Sequence, residues 1–175
     1  MTEQVDLPEA EDAYRRRSAR VLLVDAEDRV LLFRFWIDPN RHELGHCWGT
    51  PGGGVEKGEP LLLAAVRELR EETGLVVDPA SLGPHVAIAS GMVSFDWATG
   101  LFRDDFFFHR TDGHQVDTSG FEDFEASQIT EFRWWPVDEL AATQEIVYPS
   151  ALAALMADLI AGRIPEQPVR LPWHH

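Results

Sequence analysis

Between Thr50 and Leu75 the chain reads TPGGGVEKGEPLLLAAVRELREETGL, a glycine-rich turn running into a helix with a marked start and stop. Three consecutive glycines, Gly52 to Gly54, permit backbone conformations that other residues avoid. Pro60 suits the first turn of a helix, LLLAAVRELREET consists mostly of good helix formers, and Gly74 is the natural end. At about 100° per residue, Glu71 and Glu72 fall on either side of Glu68, so three carboxylates share one helix face. Like charges at that spacing cost roughly 0.2–0.5 kcal/mol per pair, so the cluster is either neutralised by neighbouring side chains or built for a cation.

The rest of the chain supplies strands and helices without strict alternation. Leucine-rich and β-branched runs at Ala19 to Val24 and Val30 to Trp36, joined by the polar turn Asp25 to Asp28, predict a hairpin. Asp38 to Gly45 reads as a polar loop. Further strands are expected at His85 to Val93 and Leu101 to Arg110, with a turn at Asp96 to Gly100, and a short one at Phe132 to Trp135. Pro136 opens a short helix through PVDEL, and Pro149 a longer one from Ser150 to Ala161, with leucines 152, 155 and 159 at helical spacing. This mixture predicts an α/β fold with a mixed β-sheet flanked by helices.

A chain of 175 residues, 45% of them hydrophobic, is the size of one domain with a real core. Residues 1–12 read as a flexible tail, 13–165 as the domain and 166–175 as a second tail. Thirty acidic against 15 basic residues give a formal net charge of -15, which argues against binding a nucleic-acid polymer or an anionic membrane unaided. A single cysteine, Cys47, excludes an intrachain disulfide and a cysteine metal cluster. With no apolar leader or membrane-length run, the chain reads as soluble and cytoplasmic.

From Gly53 the pattern is glycine, five residues, Glu59, seven residues, Arg67-Glu68-Leu69, one residue, Glu71-Glu72, one residue, Gly74-Leu75. This resembles the Nudix box without a gap. The resemblance implies a Nudix-type α/β/α sandwich and a pyrophosphohydrolase that cleaves a nucleoside diphosphate linked to another moiety. Clustered oxygen ligands suit magnesium, or manganese, with substrate phosphates completing the coordination and a bound water made acidic enough to attack phosphorus. By resemblance, Glu71 and Glu72 would be the main metal ligands, and Glu68 a further ligand or an acid/base group. Glu59 would be a secondary ligand or orienting group, and the Gly53 carbonyl oxygen another ligand. Arg67 would orient a glutamate through a bidentate ion pair. Family members often add a glutamate from a downstream loop, and Glu122 and Glu125 before the last strand are the candidates, with Glu125 favoured. Glu131, immediately before that strand, reads as structural or solvent-facing.

Arg34 and Arg103, on strands leading toward the proposed cleft, are candidate phosphate contacts, and His42 and His46 offer weaker ones. Trp134 and Trp135 alternate in direction, so one is expected to pack inward while the other faces a surface or cleft. Phe106, Phe107 and Phe108 read as core. The proline that often follows the box in ADP-ribose specialists is missing from AIASGMV. The C-terminal SALAALMADLIAGRIPEQPVRL lies outside the box pattern and reads as cover for the core or a homodimer interface. Two other functions stand beside hydrolysis: a module that senses a nucleotide without turning it over, and an isomerase resting on Cys47 alone.

Overall fold

The expected hairpin forms and then comes apart. In the computed structural model, which describes residues 13–94 and 98–173, β1 (Arg16–Val24) and β2 (Arg29–Trp36) are in register at Val24 and Val30. Residues 1–12, read as a tail, lie outside the described residues. Asp25 ties the turn: its Oδ1 accepts the backbone N–H groups of Glu27 and Arg29, and its Oδ2 accepts from Arg29 Nε at 2.7 Å. Beyond the turn each strand takes other partners. β1 runs antiparallel to the glycine strand β4 (Gly52–Gly54) and parallel to β6 (Thr99–Arg110). β2 pairs antiparallel with β3 (His46–Gly49) and with β7 (Ile129–Pro136).

The sheet continues through β5 (His85–Ser94), antiparallel to β6, and is closed at its edges by β8 (Val147–Tyr148) and β9 (Val169–Leu171). Its order is β8-β3-β2-β1-β6-β5-β9, with β1/β6, β3/β8 and β5/β9 parallel. The segment read as a C-terminal tail thus contains an edge strand. The turn read at Asp96 to Gly100 falls partly outside the described residues, and Thr99 and Gly100 already belong to β6.

Both faces of the sheet are covered. α1 (Leu61–Thr73) buries Ala64, Ala65 and Leu69 against Val21, Leu23, Leu31 and Phe107. The six-residue α2 (Asp123–Gln128) leads into β7. On the other face, Leu140 of α3 (Val137–Ala142) and Leu152, Leu155, Met156 and Leu159 of α4 (Leu152–Ile160) pack on Leu22, Leu32, Phe106 and Trp135. Fully buried leucines contribute roughly 1.5–3 kcal/mol each. The period-2 alternation of β1 and β6 sends successive residues to the two cores, which makes the α/β/α sandwich. Trp134 and Trp135 obey it as well: Trp135 enters one core and Trp134 packs on the other, so neither is left to a bare surface. Among the described residues, no helix is long and apolar enough to cross a membrane.

Candidate metal and phosphate site

The face of α1 that enters the core also carries the site. One turn beyond Ala64 and Ala65 come Glu68 and Leu69, and one turn further Glu72 and Thr73, all buried. Relative to Glu68, Glu72 is rotated by about 40° toward the buried side and Glu71 by about 60° the other way. The three glutamates expected on one face therefore divide. Glu68 and Glu72 turn inward at 5% and 4% exposure, and Glu71 stays at the margin, 3.3 Å from Arg67 Nη1.

The glycine loop is shaped to these carboxylates. Gly52 adopts φ +137, and a Cβ there would stand 2.3 Å from the Ala19 carbonyl oxygen across the β1–β4 ladder. Its N–H donates to Glu72 Oε2 at 2.7 Å. At Gly53 a Cβ would meet the Glu68 carboxylate at 2.7 Å, so only a glycine leaves room for that side chain.

Arg67 reaches three carboxylates, those of Glu59, Glu68 and Glu71. Its Nε and Nη2 donate to the two oxygens of Glu59, both at 2.9 Å, while Nη1 donates to Glu68 Oε1 at 2.8 Å and Nη2 to the Gly54 carbonyl at 3.0 Å. The hydrogen bond from Arg67 holds the Glu59 carboxyl below its usual range. Burial pushes Glu68 up despite Arg67, and pushes Glu72 up further, since the Gly52 N–H offsets burial incompletely and the Glu68 charge adds to it.

Glu125 reaches the same spot from α2. Oxygen atoms of Glu68, Glu72 and Glu125 lie within 4.8 Å of one another. The segment read as a loop is a short helix held by a capping box: Glu122 caps the N-terminus, and its own N–H donates to Glu125 Oε2 at 2.6 Å. Glu122 lines the cleft too. Glu131, expected before the strand, lies within β7 and pairs with Arg34 at 3.4 Å.

A cleft of about 550 Å³ opens over these groups. Arg16 and Arg20 of β1 line it, and sequence reasoning missed both. The signal was the spacing of Arg16 and Arg20, four residues apart in a strand and hence on one side of it. Neither candidate phosphate contact is among the described residues that line the cleft. Arg34 is engaged by Glu131, and Arg103 grips the fully buried Asp105, with Nη2 2.8 Å from Oδ1 and Nε 3.0 Å from Oδ2. His42 and His46 stack on Trp36, with ring centroids 4.0 and 3.8 Å away. Cys47 is 1% exposed, and burial pushes its thiol up to about 12, which removes the basis for a cysteine-dependent isomerase.

A family model described as NUDIX domain matches residues 14–155. The chain belongs to the Nudix family. An RNA pyrophosphohydrolase of Caulobacter vibrioides is 28% identical over 155 residues, covering 82% of this chain and 83% of the relative. An ADP-ribose pyrophosphatase of Methanocaldococcus jannaschii is 37% identical over 60 residues, 34% of this chain and 33% of that protein. The crystal structure of a MutT Nudix hydrolase from Burkholderia pseudomallei matches with a TM-score of 0.58 at 20% identity, covering 79% of this chain and 94% of that one, and shares the fold. With this family and these relatives, the chain is an enzyme of the Nudix hydrolase class. Nudix hydrolases generally use divalent metals, and the acidic cluster has the oxygen donors to hold one.

Proposed function

We propose that this Nudix enzyme is a magnesium-dependent pyrophosphohydrolase that cleaves the diphosphate of a small nucleoside diphosphate derivative by attack of water at phosphorus. The observation that carries the proposal is the meeting of Glu68, Glu72 and Glu125 within 4.8 Å. Glu68 Oε2 is buried there with no hydrogen-bond partner, a state that costs about 1–3 kcal/mol, or more for a charged group, unless a cation answers it. Hard oxygen donors of this kind fit magnesium or manganese. Glu68, Glu72 and Glu125 would hold the metal, with Glu71 and the Gly53 carbonyl oxygen as the further ligands that the family pattern implies. The metal supplies charge neutralisation at the phosphate oxygens and a more acidic water.

The chain's own groups do the rest. Arg67 and Glu59 fix the orientation of Glu68 through the paired hydrogen bonds of the guanidinium. The Gly52 N–H holds Glu72. Arg16 and Arg20 supply positive charge for the diphosphate in a protein whose net charge is -15. Water forms the new P–O bond, its proton passes to a carboxylate of the cluster, and the bridging P–O bond breaks with its electron pair kept by the oxygen of the departing monophosphate. That net charge also favours a small substrate over an RNA chain.

The test is a panel containing ADP-ribose, a dinucleoside polyphosphate, a nucleotide sugar and a 5′-triphosphorylated RNA oligonucleotide, incubated with and without magnesium. Magnesium-dependent release of a mononucleotide from a small member, abolished in Glu72→Gln, is the expected result. Tight binding without metal-dependent turnover would instead make the chain a nucleotide sensor. Turnover confined to the RNA would sink the small-molecule reading.

A further inference from the structure

Beside the acidic cleft lies a smaller cavity of about 130 Å³, and the two share Arg20, Phe35 and Thr50. Phe35, Phe106 and Tyr148 give it apolar walls. The Arg20–Asp104 ion pair, at 3.2 Å, forms part of its lining. Thr50 is 5% exposed, and its buried Oγ1 has no hydrogen-bond partner. One further wall is formed by Pro172 and Trp173, which follow directly on β9. Trp173 has a seat prepared for it: a Cβ at Gly91 of β5 would stand 2.1 Å from the indole Cδ1. The indole thus occupies the space that any side chain at position 91 would need. Both wall residues lie beyond the stretch matched by the family model, residues 14–155, so this wall comes from the chain's own C-terminal segment.

We propose that this cavity receives the six-membered heteroaromatic ring of the substrate's base, and that Trp173 is the specificity-determining residue against which that ring packs. The inference rests on the hydrolase reading above, in which the adjoining cleft holds the diphosphate. An apolar cavity of about 150 Å³ takes up one benzene. A volume of about 130 Å³ therefore suits a single six-membered ring, with a fused second ring or the ribose left toward the mouth. The aromatic walls address the ring's faces. Thr50 Oγ1 and the Asp104 carboxylate address its polar edge, where an otherwise unmet hydroxyl gains a partner. Arg20 stands at the junction of the two spaces, so base and phosphate would be read from opposite sides of one residue.

The test compares binding of UMP, AMP and ribose 5-phosphate, by calorimetry with magnesium present, to the full chain and to Trp173→Ala, Trp173→Phe and Thr50→Val. In the unaltered protein the two nucleotides bind about tenfold or more tightly than ribose 5-phosphate, the scale of one base–aromatic stack. Trp173→Ala removes most of that preference while leaving ribose 5-phosphate affinity in place, and Trp173→Phe keeps it. If Trp173→Ala lowers the melting temperature, Thr50→Val carries the test by weakening both nucleotides severalfold. Equal affinity for the three ligands, no binding of any, or a preference that survives Trp173→Ala overturns the proposal. Magnesium-dependent hydrolysis indifferent to Trp173 leaves the reaction standing without this pocket. A Trp173-dependent base preference with no hydrolysis does the reverse.

Discussion

Replacing Arg67 tests how the acidic cluster is held before any metal arrives. The guanidinium serves Glu59 twice, Glu68 once at 2.8 Å and Glu71 at 3.3 Å, besides the Gly54 carbonyl. Glu59 and Glu68 side chains are only 15% and 7% exposed, so neither recovers much water when Arg67 is lost. Breaking a buried pair by removing one partner costs about 3–5 kcal/mol. Arg67→Met should approach that loss in chelator, which for a domain of this size is a fall of about 6–20 °C in melting temperature at about 2–4 °C per kcal/mol. Arg67→Lys keeps the charge and forfeits the fork, so it should fall between Arg67→Met and the unaltered chain. Magnesium should restore part of the Met variant's loss, because a ligand that binds only the folded state stabilises it by mass action. Calorimetric or circular-dichroism melts of the three proteins, with chelator and with magnesium, give the answer. Both variants melting within about 0.5 kcal/mol of the unaltered protein would refute the argument, since that is the range of an ordinary surface change.

Cys47→Ala should leave magnesium-dependent turnover intact, and at pH 8 the native thiol should resist alkylation until the protein unfolds, because it is buried and pushed up to about 12. Asp105 concerns acid stability. Burial pushes its carboxyl up, but the contact of His85 Nε2 at 3.1 Å, the hydrogen bonds from Arg103 and the charges of Arg103 and Arg17 outweigh burial and hold it below the ordinary range. A carboxyl depressed on folding adds stability above its unfolded value, near 3.9, and loses it as pH falls through the lower folded value. Asp105→Asn should thus cost about 3 kcal/mol at pH 7, at the low end for a broken buried pair because Arg17 and Arg103 keep some contact with water. The gap should close below roughly pH 4 in urea titrations. A gap that widens on acidification would contradict the sign.

The helix α1 and its loop were legible because glycine, proline and the 3.6-residue period each act locally. The two large strands that flank the turn at Asp25 were legible for the same reason, through their runs of leucine and β-branched residues. The strands that escaped notice, β3, β4, β8 and β9, run from two to four residues. They owe their conformation to a neighbour: Gly52–Gly54 is a strand because Ser18, Ala19 and Arg20 offer a ladder. The helix α2 was hidden since an acidic N-cap in GFEDFEASQ reads like any polar loop until its side chains are seen closing the box. Within the site, the spacing of glutamates located the cluster, but a rotation of a few tens of degrees on α1 decided which carboxylates entered it, and that rotation is set by the packing of Ala64, Ala65 and Leu69. Arg34 and Arg103 lie among their acidic partners, Glu131 and Asp105, and not along the cleft, because those partners could be matched to them only in three dimensions.

The parting of β1 from β2 just past Val24 and Val30 has a geometric consequence. β1 is laced to β6 along its whole length from Arg16 to Val24, and β2 to β7, so the two strands diverge as the arms of a fork. Asp25, bonded to Glu27 and to Arg29, closes the crotch of that fork. A side chain well removed from the glutamates therefore marks the closed end of an opening that Arg16 and Arg20 line from one arm and Phe33 and Phe35 from the other.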